Sequence, residues 1–341
     1  WAGFVEGNSW RKDKKFDMTN RTAATIDLVK DVLVASADFS IYYNQTERRQ
    51  AVNSYTFYTS PTNSAQRPAG SLYEERSYNR NRLAGNATLT YTPKLGKNNS
   101  LTVLAGWNIE DYQYKTNLIN REGIMIADRP NFDLLNGEAM TIADNGSSSS
   151  ALVGAFYRIS YSYKSKYLIE TSGRYDGNSK FPSNQRWGFF PSASIGWRIS
   201  EEGFLKDADW LDNLKIRVSA GTAGNGLISN AYAYISKMGI SQSSVLNNGA
   251  VFNYTSAPVP IPNSLTWEKA TTYDAGLDFE AFNGRLNFSG DIYRKSTTDM
   301  YVTGDELPAV YGNSAPKGNY ADMRTDGWEF SISWRDSYKV G

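Results

Sequence analysis

The stretches Ala151-Leu-Val-Gly-Ala-Phe-Tyr-Arg-Ile-Ser-Tyr-Ser-Tyr163, Lys164-Ser-Lys166 and Tyr167-Leu-Ile-Glu-Thr-Ser-Gly-Arg-Tyr-Asp176 decide the fold class. In the first, odd positions carry Ala151, Val153, Ala155, Tyr157, Ile159, Tyr161 and Tyr163, while the even ones include Gly154, Arg158, Ser160 and Ser162. Successive side chains of a strand point to opposite faces, so a period of two reads as a strand with one apolar and one polar face. After the three-residue turn, Tyr167, Ile169 and Tyr175 continue one face, and Glu170, Ser172, Arg174 and Asp176 take the other. The two runs predict a hairpin.

The pattern recurs outward in both directions. Phe189, Ala193, Ile195, Trp197 and Ile199 alternate with Ser192, Ser194 and Arg198, and Leu214, Ile216, Val218 and Ala220 with Lys215, Arg217 and Ser219. Tyr273 to Glu280 and Leu286 to Ile292 flank the Asn283-Gly284 turn pair. Trp328, Phe330, Ile332 and Trp334 alternate with Glu329, Ser331, Ser333 and Arg335. Weaker runs lie at 21–29, 33–44, 82–92 and 100–111. About eleven strands are expected, several of the ~9–11 residues that cross a bilayer rather than the ~5–6 of a globular strand.

Links alternate in length too. Short ones fall near Lys30-Asp31, at 93–99, 164–166 and 282–284, with 200–213 intermediate in a short slot. Long polar ones fall at 45–80, 112–149, 177–187, 222–266 and 298–324. Long loops on one side and short turns on the other mark an outer-membrane barrel. Tyr91, Tyr161, Tyr163, Tyr167, Trp197, Phe279 and Phe282 gather toward the short-turn side, as an interfacial aromatic girdle does. A soluble β-sandwich also alternates, but with shorter strands and without this segregation of loop lengths.

Composition narrows the chemistry. The 341 residues carry 36 basic and 35 acidic side chains, so no global field favours nucleic acid. There is no cysteine and no histidine, which removes disulfides, thiolate or imidazole metal sites and every Ser-His-Asp arrangement. Aromatic residues make up 14% of the chain while its mean hydropathy is negative, which suits strands with one wet face. No run approaches the ~18 apolar residues of a membrane helix.

Several segments resemble a known family. They are the run from Tyr167 to Phe181, then Arg186-Trp187-Gly188, Phe190-Pro191-Ser192 and Gly196-Trp197-Arg198-Ile199-Ser200-Glu201-Glu202. Leu214 to Asn225, Leu265-Thr-Trp-Glu268, Thr271 to Asp278, Phe282 to Leu286, Asp291 to Lys295 and Met323 to Phe330 extend the likeness. Together they resemble the SusC/RagA-type TonB-dependent outer-membrane transporters over roughly residues 150–335. The resemblance implies a large barrel of about 22 strands, of which residues 1–341 form part, with the plug domain and the TonB-contacting segment outside these residues. It further implies import of glycan or peptide fragments across the outer membrane, beneath a SusD-like surface lipoprotein, with energy from the TonB complex. The fold expected is thus all-β: an antiparallel transmembrane β-barrel segment. The alternatives are a non-transporting barrel scaffold or subunit of a surface complex, and a small passive porin.

Alternation makes Glu170, Arg174, Asp176, Arg198, Arg217, Asp278 and Glu329 the lumen-facing candidates, and Val153, Ile159, Ile169, Ile195, Ile216, Leu277, Phe288 and Ile332 the lipid-facing ones. Glu170, Arg174 and Asp176 share a polar strand face, where charges are ordinary, so no catalytic residue and no enzyme activity is expected. Tyr112, Tyr114, Phe181, Trp187, Tyr232 and Tyr234 lie in long-loop territory and are the candidates for stacking on substrate, the alternative being that they pack loop against loop and exclude water. Asp128, Asp133, Asp144 and Asn145 lack calcium-loop spacing, and Gly221-Thr-Ala-Gly-Asn-Gly226 lacks the lysine of a phosphate loop. No metal or cofactor is expected. With about eleven strands and links alternating in side, strands 21–29 and 325–336 are expected to end the sheet with one edge each unpaired.

Overall fold

The computed structural model describes residues 9–337, except 59, 68–70, 138–139, 145, 206–207, 227, 229–230, 248–249, 259 and 313. Its strands are β1 (Trp10–Val29), β2 (Leu33–Val52), β3 (Tyr55–Tyr58), β4 (Ser64–Arg67), β5 (Leu72–Tyr91) and β6 (Asn99–Glu122). Then follow β7 (Met140–Asp144), β8 (Ser148–Tyr163), β9 (Tyr167–Asn178), β10 (Trp187–Arg198) and β11 (Leu211–Asn225). The last are β12 (Ile240–Asn247), β13 (Ala250–Thr255), β14 (Glu268–Ala281), β15 (Leu286–Thr303) and β16 (Lys317–Trp334).

One sheet holds twelve of them. Its neighbours run β1-β2-β5-β6-β8-β9-β10-β11-β14-β15-β16, eleven strands along the path, with β7 paired to β6 beside it. The path ends on β1 and β16, the two edges expected. Hairpins β3–β4 and β12–β13 form separate two-stranded sheets inside long links.

The strands are longer than the alternation suggests. β6 has 24 residues, about 80 Å at the usual rise. Each long link is correspondingly shorter: 53–71, 123–147, 179–186, 226–267 and 304–316. Tyr112 and Tyr114 therefore stand in β6, not in a loop. An apolar/polar alternation is selected only where one face meets an apolar medium; where both faces are wet, a strand continues without it.

The short links are tight. In the β8–β9 turn, Lys164 and Ser165 adopt φ of 51° and 57°, and Lys166 N–H donates to the Tyr163 carbonyl at 3.0 Å. That is the primed turn whose twist matches a hairpin, built here without glycine. In the β14–β15 link, Asn283 and Gly284 have φ of 56° and 76°, as the pair predicts.

The chain forms two compact units. One comprises the described residues through Thr22 with Asp38–Gly85 and Glu110–Ser150; its core is Ala51, Tyr73 and Leu135, with the Tyr73 and Phe132 rings 5.1 Å apart. The other comprises Ala23–Ala37, Asn86–Ile109 and the described residues from Ala151 on, with a core of Phe181, Phe190, Ile228, Leu265 and Trp267.

Candidate functional site

The register of β8 to β16 sorts the side chains into two faces. One row joins Leu168, Gly196, Arg217, Gly276, Asp291 and Glu329; the next joins Ser160, Glu170, Ser194, Ser219 and Asp274. Arg198 stands beside Lys215 and Asp278, and Arg174 between Phe156 and Phe190. All seven charged candidates thus share one face. The opposite face carries Tyr161–Ile169–Ile195–Val218–Ala275–Ile292–Trp328 as one unbroken row. Val153, Ile159, Ile216, Leu277, Phe288 and Ile332 lie on that same face by strand parity.

Arg217 is the centre of the polar face. Its Nε lies 3.2 Å from Asp278, its Nη1 3.5 Å from Asp274, and its two Nη atoms 2.6 and 2.8 Å from the two oxygens of Asp291. Of the two Asp291 contacts only Nη2 to Oδ2 is a hydrogen bond; the Nη1 contact is an ion pair without hydrogen-bond alignment, which leaves Asp291 Oδ1 without a hydrogen-bond partner. Three carboxylates against one guanidinium leave the cluster anionic. Gly276 makes the room: a Cβ there would lie 2.5 Å from Arg217 Cζ and would overlap Asp291. Asp274, Asp291 and Gly276 were not among the predicted site residues, although the parity of the two aspartates pointed to this face.

Other charges pair locally. Arg158 and the Ser160 hydroxyl donate to Glu170 at 2.7 and 2.8 Å. Arg174 grips Asp176 through Nε and Nη2, at 3.1 and 2.9 Å, with the guanidinium 5.1 Å over the Phe156 ring. Arg198 meets Glu201 at 3.3 Å, while Glu329 is exposed. None of these pairs presents a nucleophile with a base. Among the described residues, no group of three or more acidic side chains is placed to hold a metal ion. Asp144 instead accepts from the backbone and hydroxyl of Ser147, at 3.0 and 2.6 Å, which holds its carboxyl below the usual range; Asn145 lies outside the described residues.

The aromatic candidates separate. Phe181 is fully buried, its ring 5.4 Å from Trp267, which in turn meets Phe190 at 5.2 Å. Trp267 Nε1 donates to the Arg186 carbonyl, and Gln185 accepts from Leu265 N–H at 2.7 Å. The motif pieces around Phe181, Phe190 and Trp267 are therefore one knot, and Phe181 is closed off from any substrate. Trp187 stacks on Tyr175 at 5.1 Å, on the apolar face rather than beside Arg174 and Asp176. Tyr112 is exposed, Tyr114 lies under Arg80, Tyr232 under Lys237, and Tyr234 packs on the knot.

Long two-faced antiparallel strands with alternating link lengths define an outer-membrane β-barrel. The sequence matches the family described as TonB dependent receptor-like, beta-barrel, over residues 2–341. The TonB-dependent receptor SusC of Bacteroides thetaiotaomicron is 30% identical over a 336-residue alignment that covers 81% of this chain and 33% of SusC. TonB-dependent receptor P39 of Formosa agariphila is 32% identical, over 71% of this chain and 23% of its own. The RagAB peptide transporter superposes with a TM-score of 0.76 at 21% identity, covering 99% of this chain and 36% of that one. This chain belongs to the TonB-dependent receptor-like β-barrel family. It spans about a third of the length of the relative SusC.

Proposed function

We propose that this chain is part of the barrel wall of a TonB-dependent outer-membrane importer of glycan or peptide fragments, working with a SusD-like surface lipoprotein. The observation that supports this most is the sorting of faces. Glu170, Arg174, Asp176, Arg198, Arg217, Asp278 and Glu329 line the lumen in this reading, and the Ile195–Val218–Ala275–Ile292–Trp328 row meets lipid. Reversing the faces would set Arg217 and its aspartates in hydrocarbon, at about 2–4 kcal/mol for the arginine alone at mid-bilayer.

Capture occurs through the long links, with the accessible Tyr112 and half-buried Tyr114 as substrate contacts in one unit and, independently, the half-buried Tyr232 and Tyr234 in the other. Release into the lumen follows displacement of a plug through TonB, by segments outside residues 1–341. The protein performs no covalent chemistry on its cargo. Uptake of labelled oligosaccharides and peptides by cells making the full-length protein tests this. Uptake should stop without TonB or without proton-motive force. Uptake that persists without TonB means a passive porin, and none under any condition means a scaffold.

A further inference from the structure

On β14 to β16 the apolar face stops abruptly. Its rows run Phe279–Phe288–Ile332, Leu277–Gly290–Phe330 and Ala275–Ile292–Trp328. The next row is Tyr273–Arg294–Asp326, and two residues along β16 on the same face stands Arg324. Arg294 Nε lies 2.6 Å from one oxygen of Asp326, and Arg324 Nη2 2.9 Å from the other. Two guanidiniums share one carboxylate, so one positive charge remains, and all three side chains are about half exposed.

Beside this cluster runs a groove of about 790 Å³. It is lined by three consecutive residues from each of four strands: 218–220, 273–275, 292–294 and 326–328. The middle residue of each triplet points to the polar face, so only its backbone contributes. The walls are the flanking side chains: small at Ala220 and Ala275, bulky at Tyr273, Ile292 and Trp328, and charged at the Arg294–Asp326 end.

Height along the strand suits an interface. Arg294 is eight residues past Leu286, where β15 begins, or about 27 Å along the strand; at a tilt of about 40° that is about 20 Å of depth, near the far limit of an apolar band about 25 Å tall. Trp328, one row below, has the place of a girdle aromatic.

We infer that this groove is a binding site for a phosphate-bearing lipid of the outer leaflet. The headgroup phosphate takes the fork of Arg294 and Arg324, whose planar donors match phosphate oxygens. The first methylenes of its chains lie on Ala275 and Ile292, one row from Arg294, with Tyr273 and Trp328 on either side. This rests on the reading that the apolar face meets the bilayer.

The test is native mass spectrometry of the full-length protein titrated with lipid A, with diacylglycerol, which has acyl chains and no phosphate, as the comparison. R294Q/R324Q should bind lipid A about tenfold more weakly and diacylglycerol unchanged. A275F, which fills the groove and keeps both arginines, should also lose lipid A. Equal lipid A binding by wild type and R294Q/R324Q overturns the site. Displacement of lipid A by millimolar inorganic phosphate, with A275F as tight as wild type, overturns the lipid and leaves a free-anion site. Quenching by brominated acyl chains, compared between wild type and Trp328→Phe, reads the membrane contact separately. A difference supports it; no difference removes the reading beneath the proposal. Heat-modifiable gel mobility confirms that each variant is folded.

Discussion

The indole N–H of Trp197 donates to a carboxylate oxygen of Glu202 at 3.1 Å, and the Tyr167 hydroxyl donates to the same oxygen at 2.6 Å. Lys166 lies 3.3 Å from the other oxygen. Two aromatic residues at the short-link ends of β9 and β10 thus keep their rings on the apolar face and anchor their polar tips on one acid of the next link, the arrangement that suits a membrane interface.

These donors, Tyr167 first and then Trp197 and Lys166, hold the Glu202 carboxyl below its ordinary value. A depressed folded-state value means the contribution is complete above about pH 4.3, the unfolded value, and is lost as pH falls through the folded one. Urea midpoints of the full-length barrel should fall more steeply from pH 6 to pH 3 for wild type than for Glu202→Gln. Parallel curves would show that the clamp contributes nothing.

Arg217→Gln leaves three aspartates facing one another. With the partners a fifth to a third exposed, screening limits the expected loss to about 1–2 kcal/mol. Adding Asp291→Asn should recover part of it, because the two residues share one network. Gly276→Ala should cost about 1–3 kcal/mol by pushing the guanidinium off its seat. Denaturant unfolding reads all three.

Trp267→Ala should loosen the long link 226–267. The indole closes Phe181 and Phe190 and bonds the Arg186 carbonyl, and its loss from a packed cluster costs about 3–5 kcal/mol. Limited proteolysis of intact cells should then cut within 226–267 at protease levels that leave wild type whole. An unchanged pattern would mean that the knot does not hold the link.

Ser165→Gly should stabilise the β8–β9 turn. A non-glycine residue in the left-handed region costs about 1–2 kcal/mol, and the greater backbone freedom of unfolded glycine returns part of that. A net gain of about 0.5–1 kcal/mol is expected in the denaturant midpoint.

The chain has no cysteine, so single cysteines report orientation cleanly. Ser243→Cys, in β12 of the longest link, should react with a membrane-impermeant maleimide on whole cells. Ser165→Cys should react only after the outer membrane is opened. The reverse outcome would invert the barrel.

Much of the wall was legible in the sequence, and particular residues show where legibility ended. Parity alone placed Arg217, Asp278 and Glu329 on one face. It did not say that Asp274, Asp278 and Asp291 would meet at one guanidinium, because that depends on how β11, β14 and β15 slide past one another. Tyr112 and Tyr114 read as loop residues because alternation fades where both faces of β6 are wet. Phe181 read as a candidate for stacking on substrate because Trp267, which covers it, is far along the chain.

The sequence by itself determined the strands, their two faces and the alternation of short and long links. In a strand, side-chain direction follows from local covalent geometry, so a period of two needs no distant partner to be read. Only the tertiary structure decided which side chains meet: Arg217 with its three aspartates, Trp267 with Phe181, and Arg294 and Arg324 with Asp326. Hydrogen-bond register between strands sets those meetings, and a slip of two residues would keep every face while changing every neighbour.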